Sequence, residues 1–163
     1  MILESAQLLS SAHRLLDGQM YIEQKYVNGS LPARFKNVKR WRLNDEREKV
    51  LYGVTHINHP SAIWCRSNID HYRYLYDLFC HLMDEYTYRY GKVHKCDSMR
   101  SPLFNCPLNI DYEAPWQDPP QAMPDDSKVA GNSAEAYRNY YINHKARFAK
   151  WTKRQEPNWW KKD

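Results

Sequence analysis

Four groups of side chains in this 163-residue chain have types and spacings suited to chemistry. The first is Thr55-His56-Ile57-Asn58-His59-Pro60, followed by Trp64 and Arg66. It puts two imidazoles three residues apart in a turn that leads into a helix. Such a pair suits an anion held at the exposed N–H groups of a helix N-terminus. A metal would need a third ligand, and none stands at a usual spacing, so no metal is expected. His56, His59 and Arg66 are phosphate-binding candidates, although a plain turn satisfying its own backbone has the same composition. The second group, Asp84–Lys95, gathers Arg89, Lys92, His94 and Lys95 among tyrosines at a helix C-terminus. Cations there complement the helix dipole. With rings beside them they would equally make a phosphate clamp.

The third group is Tyr137-Arg138-Asn139-Tyr140-Tyr141 with Lys145 and the Trp151–Lys162 tail. Interleaved rings and cations are what nucleic-acid or nucleotide contacts need, charge for phosphate and ring for base. A continuous helical stripe of rings is also how a core is built. The fourth is Glu4, alone among acids in an apolar segment. It is the one catalytic candidate, as a general base or as a stabiliser of a charged intermediate, with an ion pair to Arg14 as the structural alternative. His13 and Arg14, on the same segment, join the ligand-binding candidates. No Ser-His-Asp set, phosphate-cradling glycine loop or paired-carboxylate motif is readable, and no cofactor is implied.

The net charge of +5 is unevenly placed. Residues 136–163 hold eight Lys and Arg against Glu156 and Asp163, while the other 135 residues hold 16 basic and 17 acidic side chains. The excess positive charge is thus assigned to the C-terminal segment, where a positive field attracts polyanions. A smaller patch at 34–42 holds Arg34, Lys36, Lys39, Arg40 and Arg42 with no acid, interleaved with Phe35 and Trp41. The four cysteines form no CxxC pair, residues 1–16 lack a basic signal-peptide start, and no apolar run approaches ~20 residues. The expectation is a cytoplasmic protein, in a reducing compartment and away from membranes.

These groups need elements to hold them. Periodicity predicts a mainly α, compact, single-domain helical bundle over 1–163, with a small hairpin near 21–43 and a Pro-rich loop. Residues 2–17 read as an amphipathic helix with Gly18 at the C′ position; Glu4, Gln7, Ser11 and Arg14 recur on a face away from its apolar stripe. Its uncapped start predicts that a natural N-terminal segment is missing or very short. Asn28-Gly29 is the expected hairpin turn, although Pro32 argues against regular pairing. Asp45–Leu51 reads as a short helix, His59-Pro60 as a helix start, and 69–90 as a long helix capped by Ser67 or Asn68 and ended by Gly91. Its buried stripe is Tyr72, Tyr76, Phe79, Met83, Tyr86 and Tyr90. Residues 97–131 hold six of the nine prolines and read as a long irregular loop, either a lid or a brace. Asn132 and Glu135 resemble a capping box for a helix over 133–154 whose Tyr137, Tyr141, His144, Phe148 and Trp151 share a face. Residues 152–163 form a basic aromatic tail.

Residues 39–95, from KRWRLNDEREKV through YRYGKVHK, are similar to a widespread protein family of tailed phages, including myovirus-type phages of cyanobacteria. MILESAQLLSSAHRLLDG at the start, MPDDSKV at 123–129 and EAYRNYYINHKARFAKW at 135–151 resemble the same family. Its members typically carry about two more turns before this methionine. A more distant resemblance is to phage pyrimidine-dimer DNA glycosylases, compact helical enzymes with a catalytic glutamate on the first helix and an aromatic, basic tail. That resemblance implies Glu4 in the glutamate's place and Trp159-Trp160-Lys161-Lys162 in the tail's. Those enzymes use the amine of a short N-terminal arm as nucleophile, whereas the amine here is expected at the start of the first helix, three residues from Glu4. The phage resemblance implies the cytoplasm of an infected host cell.

Three functions follow as expectations. The first is a DNA-directed protein with a glycosylase-like fold, with base-excision or nuclease chemistry at Glu4. The second is a non-catalytic binder that sequesters a small nucleotide or a nucleotide immune signal, an anti-defence role, through His56, His59, Arg89, Lys92 and Tyr141. The third is a protein–protein interaction module. Self-association into a homo-oligomer is compatible with all three.

Overall fold

A computed structural model of the chain describes residues 1–29 and 34–160. With 51% helix, six helices and one two-stranded antiparallel sheet, the described fold is mainly α with a small hairpin. Helix α1 (Ile2–Asp17) packs Ala6, Leu9 and Ala12 against α4 (Ile69–Tyr90) and α3 (Pro60–Ser67). Tyr72, Leu75, Phe79 and Met83 of α4 close that core with Trp64 and Cys65 of α3.

The caps explain the helix starts. Asn68 Oδ1 accepts from the N–H groups of Asp70 and His71, so α4 begins where this side chain caps it. Gly91 ends α4 in the left-handed region that favours glycine. His59 Nδ1 accepts from Ser61 N at the start of α3, with Pro60 at its first turn. Gly18 behaves otherwise than expected. Its backbone is extended rather than left-handed. Glycine is required there because a Cβ would lie 2.4 Å from the Arg14 carbonyl oxygen and 3.1 Å from that of Arg42. The chain turns straight out of α1 into a strand, with no room for a side chain.

Three further expectations are corrected. Ser11 and Arg14, placed on a polar face, are 1% and 5% exposed, because the segment after the hairpin covers that side of α1. Residues 97–131 are not wholly irregular. Lys95–Met99 and Asp125–Ser127 are 3-10 turns, and Arg100–Phe104 is helix α5, whose Leu103 is fully buried. The helix expected over 133–154 stops early. Helix α6 (Ser133–Tyr140) passes into a π turn over Tyr141–Lys145 and a 3-10 turn over Ala146–Phe148. Its ring stripe is not a core face, since Phe148 is 61% exposed.

The Pro-rich segment is a brace. Asp111 O accepts from Ile69 N, Ala114 O from the Asn68 side chain, and Gln117 O from the Trp64 indole at 2.8 Å. Gln117 N donates to His71 Nε2 at 2.9 Å while His71 Nδ1 bonds the Trp64 carbonyl. Trp116 sits edge-on to Trp64 and His71. Burial lowers the His71 pKa by penalising its charged form.

Candidate nucleic-acid interface

The hairpin, β1 (Gln19–Tyr26) and β2 (Phe35–Arg42), is the part of the chain with the least cover. Every residue of β1 is exposed, and β2 is exposed or half-buried. Val27 N donates to Arg34 O at 2.9 Å, so the connection is longer than the two-residue turn expected at Asn28-Gly29. Pro32 lies outside the described residues.

The hairpin is fixed at its root by a buried guanidinium. Arg14 Nε donates to Tyr52 O at 2.7 Å, Nη1 to Trp41 O at 3.0 Å and to the Glu48 carboxylate, and Nη2 to Glu48 O and Leu51 O. All five of its donors are used. Glu48 also accepts from Leu43 N, which ties the residue after β2 to the same point. Beside it, Arg47 (in α2, Arg47–Val50) forks onto Asp45 and donates to Asp17 at 2.6 Å and to His13 Nδ1 at 2.8 Å. His13 is fully buried, and its Nε2 stands 2.7 Å from the Tyr72 hydroxyl, which donates to Leu103 O. Because Arg47 can only donate, His13 Nδ1 must accept and Nε2 carries the proton. Burial, and then the Arg47 charge, hold the His13 pKa down at about 4. At Asp17, burial would raise the pKa but is outweighed by hydrogen bonds from Arg47 and from the N–H groups of Leu108 and Asn109. His13 and Arg14 therefore serve the root of the hairpin from inside the protein, rather than a ligand from its surface.

Above that root, register sorts the hairpin into two unlike faces. Directly paired residues share a face, and alternate residues point oppositely. The pairs Gln19–Arg42, Tyr21–Arg40, Glu23–Val38 and Lys25–Lys36 make a cationic face. The pairs Met20–Trp41, Ile22–Lys39, Gln24–Asn37 and Tyr26–Phe35 make an apolar, aromatic one. Six basic side chains stand on the hairpin and its turn against Glu23 alone. Glu23 pairs with Arg40 at 2.8 Å, and Arg42 lies over the Tyr21 ring. Among the described residues none pairs with Lys25, Lys36 or Lys39. Lys25 and Lys36 face each other directly, an arrangement that costs stability unless an anion lies between or above them.

The C-terminal tail, where the sequence puts most of the positive charge, is arranged differently. Arg154 and Arg89 both bond Glu85, and they hold its carboxyl down at about 2. Arg154 also stacks on Tyr88, 4.0 Å from the ring centre. Tyr88 and Lys153 exchange hydroxyl and ammonium donors onto each other's carbonyls, and Arg89 donates to Lys150 O. Trp151, Trp159 and Trp160 pack edge-to-face, with Trp160 buried. Lys161 and Lys162 lie outside the described residues.

The remaining candidates are scattered. Arg138 sits 5.9 Å from the Trp159 ring centre and Lys145 5.2 Å from that of Tyr140. Tyr137 donates to Pro120 O, and Tyr141 is exposed. His94 caps the 3-10 turn after it, and Lys92 is exposed nearby. His56 and His59 meet edge-on at 6.4 Å, and Arg66 donates to Ile57 O within the same turn. Thr55 is pinned through its backbone to the Ser11 hydroxyl. Among the described residues no hydrogen bond, ion pair or ring contact joins that turn to Arg89, Lys92 or Tyr141. Surface grooves of about 520 and 570 Å³ lie along α4 and beside α2, and take in none of His56, His59, Arg66, Arg89 or Tyr141. Glu4 is 70% exposed and pairs with the Met1 amine at 3.0 Å. Among the described residues no three His, Cys, Asp or Glu side chains are grouped to hold a metal. No helix is long and apolar enough to cross a membrane.

Comparison with family models, curated proteins and solved structures finds no match. The sequence pointed to the 34–42 patch but not to Lys25 or to the facing of Lys25 and Lys36. Strand register alone carries that signal.

Proposed function

We propose that this protein binds nucleic acid, DNA in the first instance, through the cationic β-hairpin. What carries the reading is the in-register pair of exposed lysines, Lys25 and Lys36, with neither ammonium neutralised among the described residues. A phosphate backbone supplies the missing charge and releases its own counterions in doing so. Binding rather than bond cleavage is the function we infer, because the hairpin's features are those of a binding surface and Glu4, 70% exposed, is engaged with the Met1 amine. The resemblance to tailed-phage proteins suggests the infected host cell as its setting. The glycosylase resemblance suggests an ancestry in DNA handling.

Anisotropy titration of a labelled DNA across a salt series tests this. The logarithm of the affinity should fall linearly with the logarithm of salt. Lys25→Glu with Lys36→Glu should abolish measurable binding while the fold is retained. Unchanged binding in that double variant would sink the proposal. A nucleotide-specific thermal stabilisation insensitive to salt would favour a small-ligand pocket instead.

A further inference from the structure

The hairpin carries all of its paired-strand cations but Lys39 on one face and all of its rings but Tyr21 on the other, and this division fits one form of DNA better than another. In a duplex the flat faces of the bases are stacked inside, and the grooves offer hydrogen-bonding edges. A phenylalanine has no polar atom to meet those edges. Phe35 is 63% exposed, Met20 52%, Ile22 50% and Tyr26 44%, all on the same face. Unpaired bases present π faces that stack on such rings whatever the sequence.

Strand β2 alone alternates the two chemistries. Phe35, Lys39 and Trp41 point to one side and Lys36, Arg40 and Arg42 to the other. The described sheet has two strands, so the outer edge of β2 has no neighbouring strand. Eight residues of strand extend about 26 Å. A single DNA strand lying along that edge can keep its phosphates on the side of Lys36 and Arg42, where Arg40 is already paired with Glu23, and turn its bases under onto the exposed Phe35 and the half-buried Trp41. Lys39, between the two rings, would meet phosphates that stray to the base side. A duplex cannot divide itself in this way across one strand.

We propose that the outer edge of β2 is a track for single-stranded DNA, phosphates on the cationic face and bases on the aromatic one. The inference rests on the hairpin being the DNA-binding element, as proposed above, and adds which form of DNA it takes.

The test is anisotropy with the full chain, a short labelled oligo(dT), a duplex of equal length and an oligo(rU). Oligo(dT) should bind more tightly than the duplex and at least as tightly as oligo(rU). Phe35→Ala should weaken oligo(dT) binding roughly tenfold with the salt slope unchanged, because stacking is not a counterion effect. Phe35→Trp should restore it. Lys36→Glu should weaken binding and also flatten the salt slope. Since Phe35 is exposed, Phe35→Ala should melt at the wild-type temperature, so any loss is not one of fold. Equal or tighter duplex binding that Phe35→Ala leaves untouched would overturn the single-strand track and spare the hairpin as the binding element. No binding to any of the three would overturn both. A sedimentation shift from dimer to monomer in Phe35→Ala would assign the aromatic face to a second copy and overturn the track. Tighter oligo(rU) binding would overturn the assignment to DNA.

Discussion

The hairpin and the C-terminal tail have nearly the same composition, cations interleaved with aromatic rings, yet the fold uses them in opposite ways. In the tail, Arg154 and Lys153 are engaged with Glu85, the Tyr88 ring and the Tyr88 carbonyl of α4, and Trp160 is buried. On the hairpin, Lys25, Lys36 and Lys39 meet no acid among the described residues, and Tyr21, Tyr26 and Phe35 are exposed. Composition in a window therefore says that charge is present, not that it is available. A guanidinium already bonded to a carboxylate offers a polyanion little, since the phosphate would have to displace a partner of equal charge.

The comparison fails if the hairpin is not a rigid, separately held element, and Arg14 tests that most severely. Arg14→Ala leaves the Glu48 carboxylate with only the Leu43 N–H and takes the guanidinium donors from the Trp41, Glu48, Leu51 and Tyr52 carbonyls, and should cost about 3–5 kcal/mol of stability, read by urea denaturation. Arg14→Lys should recover only part, because an ammonium has three donors and no fork. A loss below about 1 kcal/mol for the alanine variant would show that the root is held by other contacts.

Acid attacks the same root. His13 is held neutral with its pKa at about 4, against 6.5 for a free imidazole. The unfolded chain binds the proton first as pH falls. This contribution is therefore complete above pH about 6.5 and is lost on approach to pH 4, by up to about 3 kcal/mol. Denaturation midpoints measured across that window should show the slope, and a His13→Gln variant should lack it. An unchanged slope in that variant would move the effect to another group. Asp17, with its lowered pKa, adds a further loss only below that window.

Charge reversal separates the two regions directly. Lys36→Glu should weaken DNA binding and reduce the salt slope by about one counterion. Lys153→Glu, in the docked tail, should leave that slope where it is. Equal effects from the two would erase the distinction drawn here. The smallest expected effect is that of Arg154→Ala. Glu85 keeps Arg89, the pair is exposed, and at most a small change in melting temperature should follow. A weakening of DNA binding by this variant would return the tail to the interface.

Much of the fold was readable in residue order. Asn68 and Gly91 bracket α4, Pro60 starts α3, and Asn132 with Glu135 caps α6, because caps are local chemistry. The lengths of the hairpin and of the last helix were less legible. Pro32 argued against pairing, but the strands are closed at Val27 and Arg34, away from it. The rings of 137–151 kept helical spacing, but the chain leaves the helix so that Lys150 and Lys153 can reach Arg89 and Tyr88. The candidate site was the least legible part. Arg14 and His13 carry the right atoms for a phosphate, and only tertiary packing turns them inward. Summed over the chain outside 136–163, the charge is −1, and that sum hid the hairpin among the acids at 45–48 that secure its root.

The Gly18 junction has a mechanical consequence. A strand pair about 26 Å long, joined to the body at one end, is a lever arm. A rotation of about 10° at the root would sweep the far end through about 5 Å, close to the spacing between neighbouring strands of a sheet. Because the junction has no space for even a methyl group, and Arg14 grips both sides of it, the arm's aim is set inside the protein, far from whatever its tip touches.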